Sequence, residues 1–565
     1  MLSIRKIGVF GRTYRHLNRY RQILTIFFKY GFGDLVELLK IEQYIEIGLQ
    51  MISRKRRERL EKLTRWERIR MALEELGPTY IKLGQVLSTR PDLIPVDLVT
   101  ELSKLQDNVP SFPYPAVRAI IQKDLGGPPE EFFDELEEFP LASASIAQVH
   151  RARLKEGEQV AVKVRRPGIE STIEVDLEIM LHLATLMERH VEEAAHHRPI
   201  KIVEEFANTM EKEIDFTIEA GSIERISRFF LGDSSLYVPK VYRSFSSPRI
   251  LTTEYVDGIK ISKLDALDAA GMDRKRITCR GAEVMLKQIF RFGFFHGDPH
   301  PGNIFVLPDE VICLVDFGMM GAVNRQTRED FVELVDAVVH RNESRTAQVL
   351  LKISLWEEKP DMRAFEKEVA DFMGRHLHRP LKEIRMGRLL QNMLELASRH
   401  RLRIPPDIFL MLKAITSVEG VALQLDPDFD ILQLAAPYVK QVKMERYHPK
   451  RIAEELLNTG GDLIRFIQEF PDELLEIARQ LKQQKLSVNF QLKGLDAMLE
   501  THDQISNRIS FAIIIAGLVI GSSIIVVTRI PPLFFGISFL GIIIFVPAAV
   551  LGLWLLWNIL RGGRH

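Results

Sequence analysis

Apolar and polar positions alternate along this chain with two different periods, and the changes of period mark its elements. Over residues 1–135 the apolar positions recur at helical spacing, most visibly in ERIRMALEELGPTYIKLGQVL (67–87), broken by Gly77-Pro78. Proline-rich loops follow around 91–95 and 110–115. From about 139 the period shortens to two. QVHRARL, the turn LKEGE and QVAVKVRR (148–166) predict two strands in a hairpin. Helical spacing covers 168–230, and RILTTEYVDG (249–258) predicts a strand ending in a turn. Helical spacing resumes at 262–293, DEVICLVDFG (309–318) contains a buried strand, and 322–480 are again mostly helical. SVNFQLKGL (487–495) alternates like an edge strand.

The C-terminus departs from all of this. ISFAIIIAGLVIGSSIIVVT (509–528) and LFFGISFLGIIIFVPAAVLGLWLLWNIL (533–560) carry no charge. A hydrocarbon core of about 30 Å is crossed by roughly 20 apolar helical residues, so the two predict a transmembrane hairpin turning at Arg529-Ile530-Pro531-Pro532. Gly517 and Gly521 form a GxxxG, which lets helices approach closely and suggests a homodimer through these spans. Trp554 and Trp557 suit an interfacial belt. Arg508 flanks one end and Arg561 and Arg564 the other, against Arg529 in the turn, which favours both ends, and the soluble body, on the cytoplasmic side.

Composition narrows the rest. The 565 residues hold 76 Lys+Arg and 76 Asp+Glu, so bulk charge makes no case for a nucleic-acid partner. Cys279 and Cys313 are far apart, which fits a reducing compartment and no cysteine metal site; Cys313, within VICLV, reads as a core residue. Charge is uneven at the N-terminus, where Arg5, Lys6, Arg12, Arg15, Arg19, Arg21 and Lys29 precede the first acid, Asp34. That segment reads as a basic helix on an anionic membrane surface, a transit peptide, or a solvated helix face.

The candidate chemistry begins at Lys163, in a strand of alternating valines, where an unpaired ammonium needs an anion. EKEIDFTIEA (211–220) offers Glu213, Asp215 and Glu219. Read as one helix, it puts Asp215 and Glu219 on one face and Glu213 on another. FFHGDPHPGNIFV (294–306) admits two readings. His296, Asp298 and His300, spaced by two, resemble a metal-hydrolase cluster. Asp298 and Asn303, five apart, match a phosphoryl-transfer loop, and Asp316 in VDFGMMG follows an apolar strand as a metal-binding aspartate does in kinases. Lys163, Asp298, Asn303 and Asp316 occur in kinase order, and carboxylate and amide oxygens suit Mg2+ with ATP. Two kinase features are missing. No glycine-rich loop precedes Lys163; ASASIAQVH (142–150) stands there, so Ala142, Ser143, Ala144, Ser145 and Ile146 are the candidate phosphate loop. No A-P-E follows the D-F-G, and little chain is left for an activation loop before helix returns at about 327.

Together these segments resemble the UbiB family of atypical kinases, also called the aarF-domain or ABC1 family. TYIKLGQVLSTRPDLIP (79–95) resembles its K-x-G-Q signature, ASASIAQVH its alanine-rich loop, VAVKVRRPG its nucleotide-lysine strand and EIDFTIEA its E-x-D motif; HGDPHPGNIFV and VDFGMMG complete the set. Ser143 interrupts the alanines, a departure from the family pattern. The resemblance implies an α+β, two-lobed kinase-like fold with this plan: a helical extension (1–135), N-lobe (136–258), helical C-lobe (259–480), linker (481–508) and transmembrane helices (509–560). It implies that Lys163 and Glu219 form the nucleotide pair, Asp298 serves the catalytic loop, and Asn303 and Asp316 hold the metal. Lys82, Gly84 and Gln85 would then belong to an extension across the substrate cleft, with Lys82 paired to Glu213. His296 becomes structural and His300 has no assigned role.

The resemblance further implies a membrane-associated ATPase supporting ubiquinone or another prenyl-quinone synthesis. Its partners would be membrane lipids, prenyl-quinone intermediates and quinone-biosynthesis enzymes. A small-molecule or lipid phosphotransferase and a non-catalytic nucleotide-binding scaffold remain as alternatives.

Overall fold

The computed structural model describes residues 14–33, 63–88, 90, 93–105, 110–191, 198–356, 360–377, 385–446, 495–528, 531–534 and 537–562. The chain divides into two compact units, Met1–Ala453 and Glu454–His565. The strand expected at 487–495 lies outside the described residues except for Leu495, which is helical.

The first unit opens with α1 (Tyr14–Lys29), α2 (Arg65–Leu76), α3 (Pro78–Leu87), α4 (Val96–Leu102) and α5 (Tyr114–Leu125). A five-stranded sheet follows from β1 (Phe133–Leu136), β2 (Ala142–Ser143), β3 (Ala147–Leu154), β4 (Gln159–Arg165) and, later in the chain, β6 (Ile250–Glu254). Its order is β1-β3-β4-β6, with β2 on β3, and every pairing is antiparallel. Period-two alternation sorts β4 cleanly. Val160, Val162 and Val164 are fully buried and join Val117, Ile120 and Ile121 of α5 in one core cluster, so Lys163 projects from the opposite face. The sheet therefore begins at Phe133, and α5 covers it.

The helical stretch at 168–230 is three helices: α6 (Ile169–His190), α7 (Pro199–Glu213) and α8 (Phe216–Phe229). The break corrects the reading of 211–220 as one helix. Asp215 leaves the helical region (φ −103, ψ 97) and its carboxylate accepts from Thr217 N at 2.9 Å, an N-cap for α8. Glu213 thus ends one helix and Glu219 lies in the first turn of the next.

The second lobe carries β5 (Leu236–Tyr237), β7 (Ile259–Lys260), β9 (Ile304–Leu307) and β10 (Val311–Leu314) in the order β5-β10-β9-β7, and a separate pair of β8 (Phe294–His296) with β11 (Met320–Ala322). Cys313 is fully buried in β10 and Cys279 is exposed in α9 (Arg274–Leu286). Helix returns at Arg325, leaving no room for a long activation loop. The helices that follow are α10 (Arg325–Val339), α11 (Glu343–Ile353), α12 (Met362–His376), α13 (Met386–Arg399), α14 (Pro406–Leu425) and α15 (Ile431–Arg446).

The basic N-terminal helix is not solvated all round: its apolar face is spent on the protein core. α1 buries Tyr20, Ile23, Leu24, Ile26 and Phe28 in the main core cluster. Arg19 donates to both carboxylate oxygens of fully buried Asp176 (2.7 and 3.0 Å) and to Leu76 O (2.7 Å), and Lys29 pairs with Glu75. Arg5, Lys6 and Arg12 lie outside the described residues.

The second unit holds α16 (Leu495–Val527) and α17 (Phe539–Gly562), which pack on each other where Gly552 faces Ile515. Two details differ from expectation. Residues 495–508, expected as linker, begin α16; and Leu533–Phe534 and Ile537–Ser538 form a small strand pair ahead of α17. Ile509–Val527 has mean hydropathy 2.6 with 6% of its window buried, whereas the apolar α14 has 1.6 with 61% buried. The contrast separates a helix apolar to its surroundings from an ordinary core helix. A Cβ on Gly517 or Gly521 would meet nothing within 4 Å, so the GxxxG does not serve the α16–α17 contact.

Candidate active site

Lys163 reaches from β4 to α8. Its Nζ lies 2.9 Å from each Glu219 carboxylate oxygen and 3.6 Å from Asp316 Oδ1. Burial alone would depress the ammonium, but Asp316 and Glu219 outweigh it and hold Lys163 above its ordinary range. Two carboxylates compete for that one cation. Burial lifts Glu219, whereas Lys163 holds the half-exposed Asp316 well below the carboxylate range. Asp316 is thus held ionised by the lysine that Glu219 also binds. Glu219 Oε1 also accepts from Phe317 N at 3.4 Å, which ties α8 to the D-F-G segment.

Backbone pairing brings the loop residues together. β9 and β10 are antiparallel with Ile304 opposite Leu314, and Val315 N donates to Asn303 O at 3.2 Å, so Asn303 and Asp316 sit at one end of the same hairpin. β8 pairs with β11, and Gly297 N donates to Met319 O at 2.8 Å. His296 is buried between the two loops. Its Nδ1 accepts from Asp298 N (3.2 Å), which leaves Nε2–H to donate to Asp316 O. Burial lowers its pKa, consistent with a neutral, structural imidazole. His300 Nδ1 accepts from Gly302 N (3.1 Å) and caps the short 3-10 turn that ends at Asn303. Both histidines therefore shape the loop. Among the described residues no group of three His, Cys, Asp or Glu is placed to hold a metal.

The alanine- and serine-rich segment is a hairpin. Ala142 and Ser143 pair with Val149 and Gln148, and Ala144 N closes the turn on Ala147 O at 2.8 Å. Ser145 and Ile146 are buried. Arg166 donates to Ser143 Oγ (3.4 Å) and Ala144 O (3.2 Å), which ties the turn to the end of the lysine strand.

The K-x-G-Q helix, α3, meets the same site from the other side. Lys82 Nζ lies 2.8 Å from Glu213 Oε1 with both side chains almost fully buried. A Cβ added at Gly318 would stand 3.3 Å from Asp316 Oδ1 and 3.8 Å from Glu213 Oε2, so this pair lies beside the D-F-G aspartate. Gly84 permits close packing within the extension: a Cβ there would meet Leu105 Cδ1 at 2.3 Å and Leu73 Cδ1 at 3.1 Å. Gln85 Nε2 donates to Leu105 O at 3.5 Å, a contact within the extension.

Three further residues brace the site or its surroundings. Arg90 pairs with Glu205 at 2.6 Å, two turns before Glu213 on α7, giving the extension a second anchor. Gln148 bonds Phe112 through both N–H and C=O, fastening the 110–112 segment to the sheet. Lys413 Nζ, from α14, lies 3.0 Å from Asp298 Oδ1.

Comparison with known proteins identifies three domains of one family. Residues 104–350 match the ABC1 atypical kinase-like domain, 369–430 the UbiB helical domain and 493–561 the ABC1/UbiB kinase-like C-terminal domain. A probable protein kinase UbiB of Aeromonas salmonicida is 36% identical over 84% of this chain and 87% of its own. An uncharacterized protein from the hydrogenase 1 5' region of Clostridium pasteurianum is 30% identical over 94% and 99%. The solved Rv3197–erythromycin complex of Mycobacterium tuberculosis is 23% identical, with TM-score 0.44, over 61% of this chain and 87% of that one.

Proposed function

The chain belongs to the UbiB family of atypical kinase-like proteins, and on that premise we propose that it is a membrane-bound, Mg-ATP-using ATPase that supports ubiquinone or related prenyl-quinone biosynthesis. The observation that carries the reading is Lys163 held between Glu219 and Asp316, with Lys82–Glu213 fixing the extension beside them. The ion pairs of Lys163 support its role as the nucleotide lysine, and the anchoring of α3 beside Asp316 supports an extension that limits access of a protein substrate.

The donor set fits magnesium. Asn303 and Asp316 offer oxygens at one hairpin end, and Asp316 is half exposed and held ionised by Lys163. Bound magnesium supplies neutralisation of phosphate charge. Lys163 orients the α/β-phosphates, and Asp298, 41% exposed, faces the solvent from which an attacking hydroxyl or water arrives. The exposed apolar surface of α16 and α17 fits a bilayer, where very apolar quinone precursors reside.

The test is Mg-dependent ATP hydrolysis by the full chain in vesicles, together with quinone profiling of a deletion strain. Wild type should hydrolyse ATP and restore the quinone, and Asp298→Asn should do neither. Hydrolysis absent under every lipid condition overturns the ATPase reading. Full rescue by Asp298→Asn replaces it with a non-catalytic scaffold. Transfer of labelled γ-phosphate to a lipid or metabolite replaces it with a phosphotransferase.

A further inference from the structure

The catalytic loop is gripped by one face of α14. Leu410 packs where a Cβ on Gly297 would stand, 2.8 Å from its Cδ1; Lys413 Nζ lies 3.0 Å from Asp298 Oδ1; and Ser417 Oγ donates to Pro299 O at 3.1 Å. Positions 410, 413 and 417 follow the i, i+3, i+7 stripe of a helix, so three consecutive loop residues are matched by three points on one helical face. α14 is itself fixed by its buried Ile408, Phe409, Met411 and Leu412. The root of Lys413 is therefore rigid while its ammonium is not enclosed.

The cations around the site differ in how tightly they are held. Lys82 and Glu213 have side chains only 10% and 8% exposed, and Lys163 is bound by two carboxylates. Separating those pairs leaves a buried charge unpaired. The Lys413–Asp298 pair is 32% and 41% exposed, so exchange of one partner for another anion is cheap. Charge balance gives the exchange a direction. Glu213, Glu219, Asp298 and Asp316 outnumber Lys82 and Lys163 by two, so a magnesium ion would only balance the lining and leave the nucleotide's own negative charge to be met by a further cation. Lys413 also stands close enough to contribute, with Asp298 and Asp316, to the field at the His296 ring.

We propose that Lys413, delivered by the helical domain, is the cation that receives the terminal phosphate of the bound nucleotide, and that its ion pair with Asp298 is the resting position it leaves when ATP binds. This rests on the reading of the site as a nucleotide site.

The experiment measures affinity for Mg-ATP and Mg-ADP with the full chain in vesicles of phosphatidylethanolamine and phosphatidylglycerol, with turnover recorded alongside. Lys413→Met should bind ATP about 10-fold more weakly, the size of one lost charge-assisted contact, and bind ADP as wild type does. Lys413→Arg should keep most of the ATP preference, and Lys413→Gln should behave as the Met variant does. Unchanged ATP affinity in both neutral variants overturns the proposal, as does an equal loss of ATP and ADP, which marks a structural role. If wild type discriminates ATP from ADP through Lys413 yet hydrolyses nothing, the ATPase reading fails and the assignment stands. If wild type turns ATP over and Lys413→Met binds ATP normally, the assignment alone fails.

Discussion

Lys82 and Glu213, 131 positions apart in the chain, meet at 2.8 Å in a pair that is almost entirely buried. The pair joins the helical extension to the end of α7, immediately beside the D-F-G aspartate. Removing Lys82 alone leaves Glu213 as a buried unpaired carboxylate, which costs about 3–5 kcal/mol. Lys82→Met should therefore melt well below wild type. The double variant Lys82→Met/Glu213→Gln should recover much of that loss, as a double-mutant cycle in detergent would measure. Additive losses would show that the two side chains are not coupled.

Gly84→Ala carries an informative sign. In an exposed helix interior the change stabilises by up to about 1 kcal/mol. Here the new Cβ stands 2.3 Å from Leu105 Cδ1 inside a packed core, and overpacking costs about 1–3 kcal/mol. A lower melting temperature is the expected outcome, and a higher one would mean that α3 does not pack as described.

Lys163→Met should lower Mg-ATP turnover by about 10²-fold or more and lower the melting temperature as well, because Glu219 and Asp316 lose the cation they share. Activity and melting are read on the same preparation.

Chelating magnesium should stop hydrolysis, and Asp316→Asn should raise the magnesium needed by on the order of 10-fold. Purified protein should carry no stoichiometric zinc, because both ring nitrogens of His296 and Nδ1 of His300 already bond the loop backbone. One zinc per chain, lost on replacing both histidines, would restore the histidine-cluster reading.

Acid stability has a local contribution from Asp233. Burial opposes its ionisation, but Lys287 at 2.6 Å and Ser235 bring it from 3.8 to about 2. A carboxyl depressed in the folded state adds stability above its unfolded value and loses it as pH falls through the folded one. The contribution is complete above about pH 5 and disappears between about pH 4 and 2. Lys287→Met should flatten the melting-temperature profile in that window and leave its shape unchanged near neutrality.

What the sequence determined lies in short segments. The alternation of Val160, Val162 and Val164 settles which way Lys163 points, because a strand has only two faces. The spacing of Asp298, Asn303 and Asp316 survives into space because a single loop and hairpin connect them. The length and apolarity of 509–527 single out a helix whose apolar surface stays uncovered within its unit. Tertiary structure decided the rest. The apolar face and cations of α1 suit a membrane surface as well as a protein core, and only the position of Asp176 selects the core. The stretch 211–220 has helical composition throughout, and the break is set by the Asp215 cap at the turn between α7 and α8. Lys413 is one lysine on an otherwise core-facing helix, 115 positions from Asp298. Helical periodicity tells which residues share a face. The partner of that face depends on where the helix docks, and docking is a sum of many weak apolar contacts spread over the whole chain.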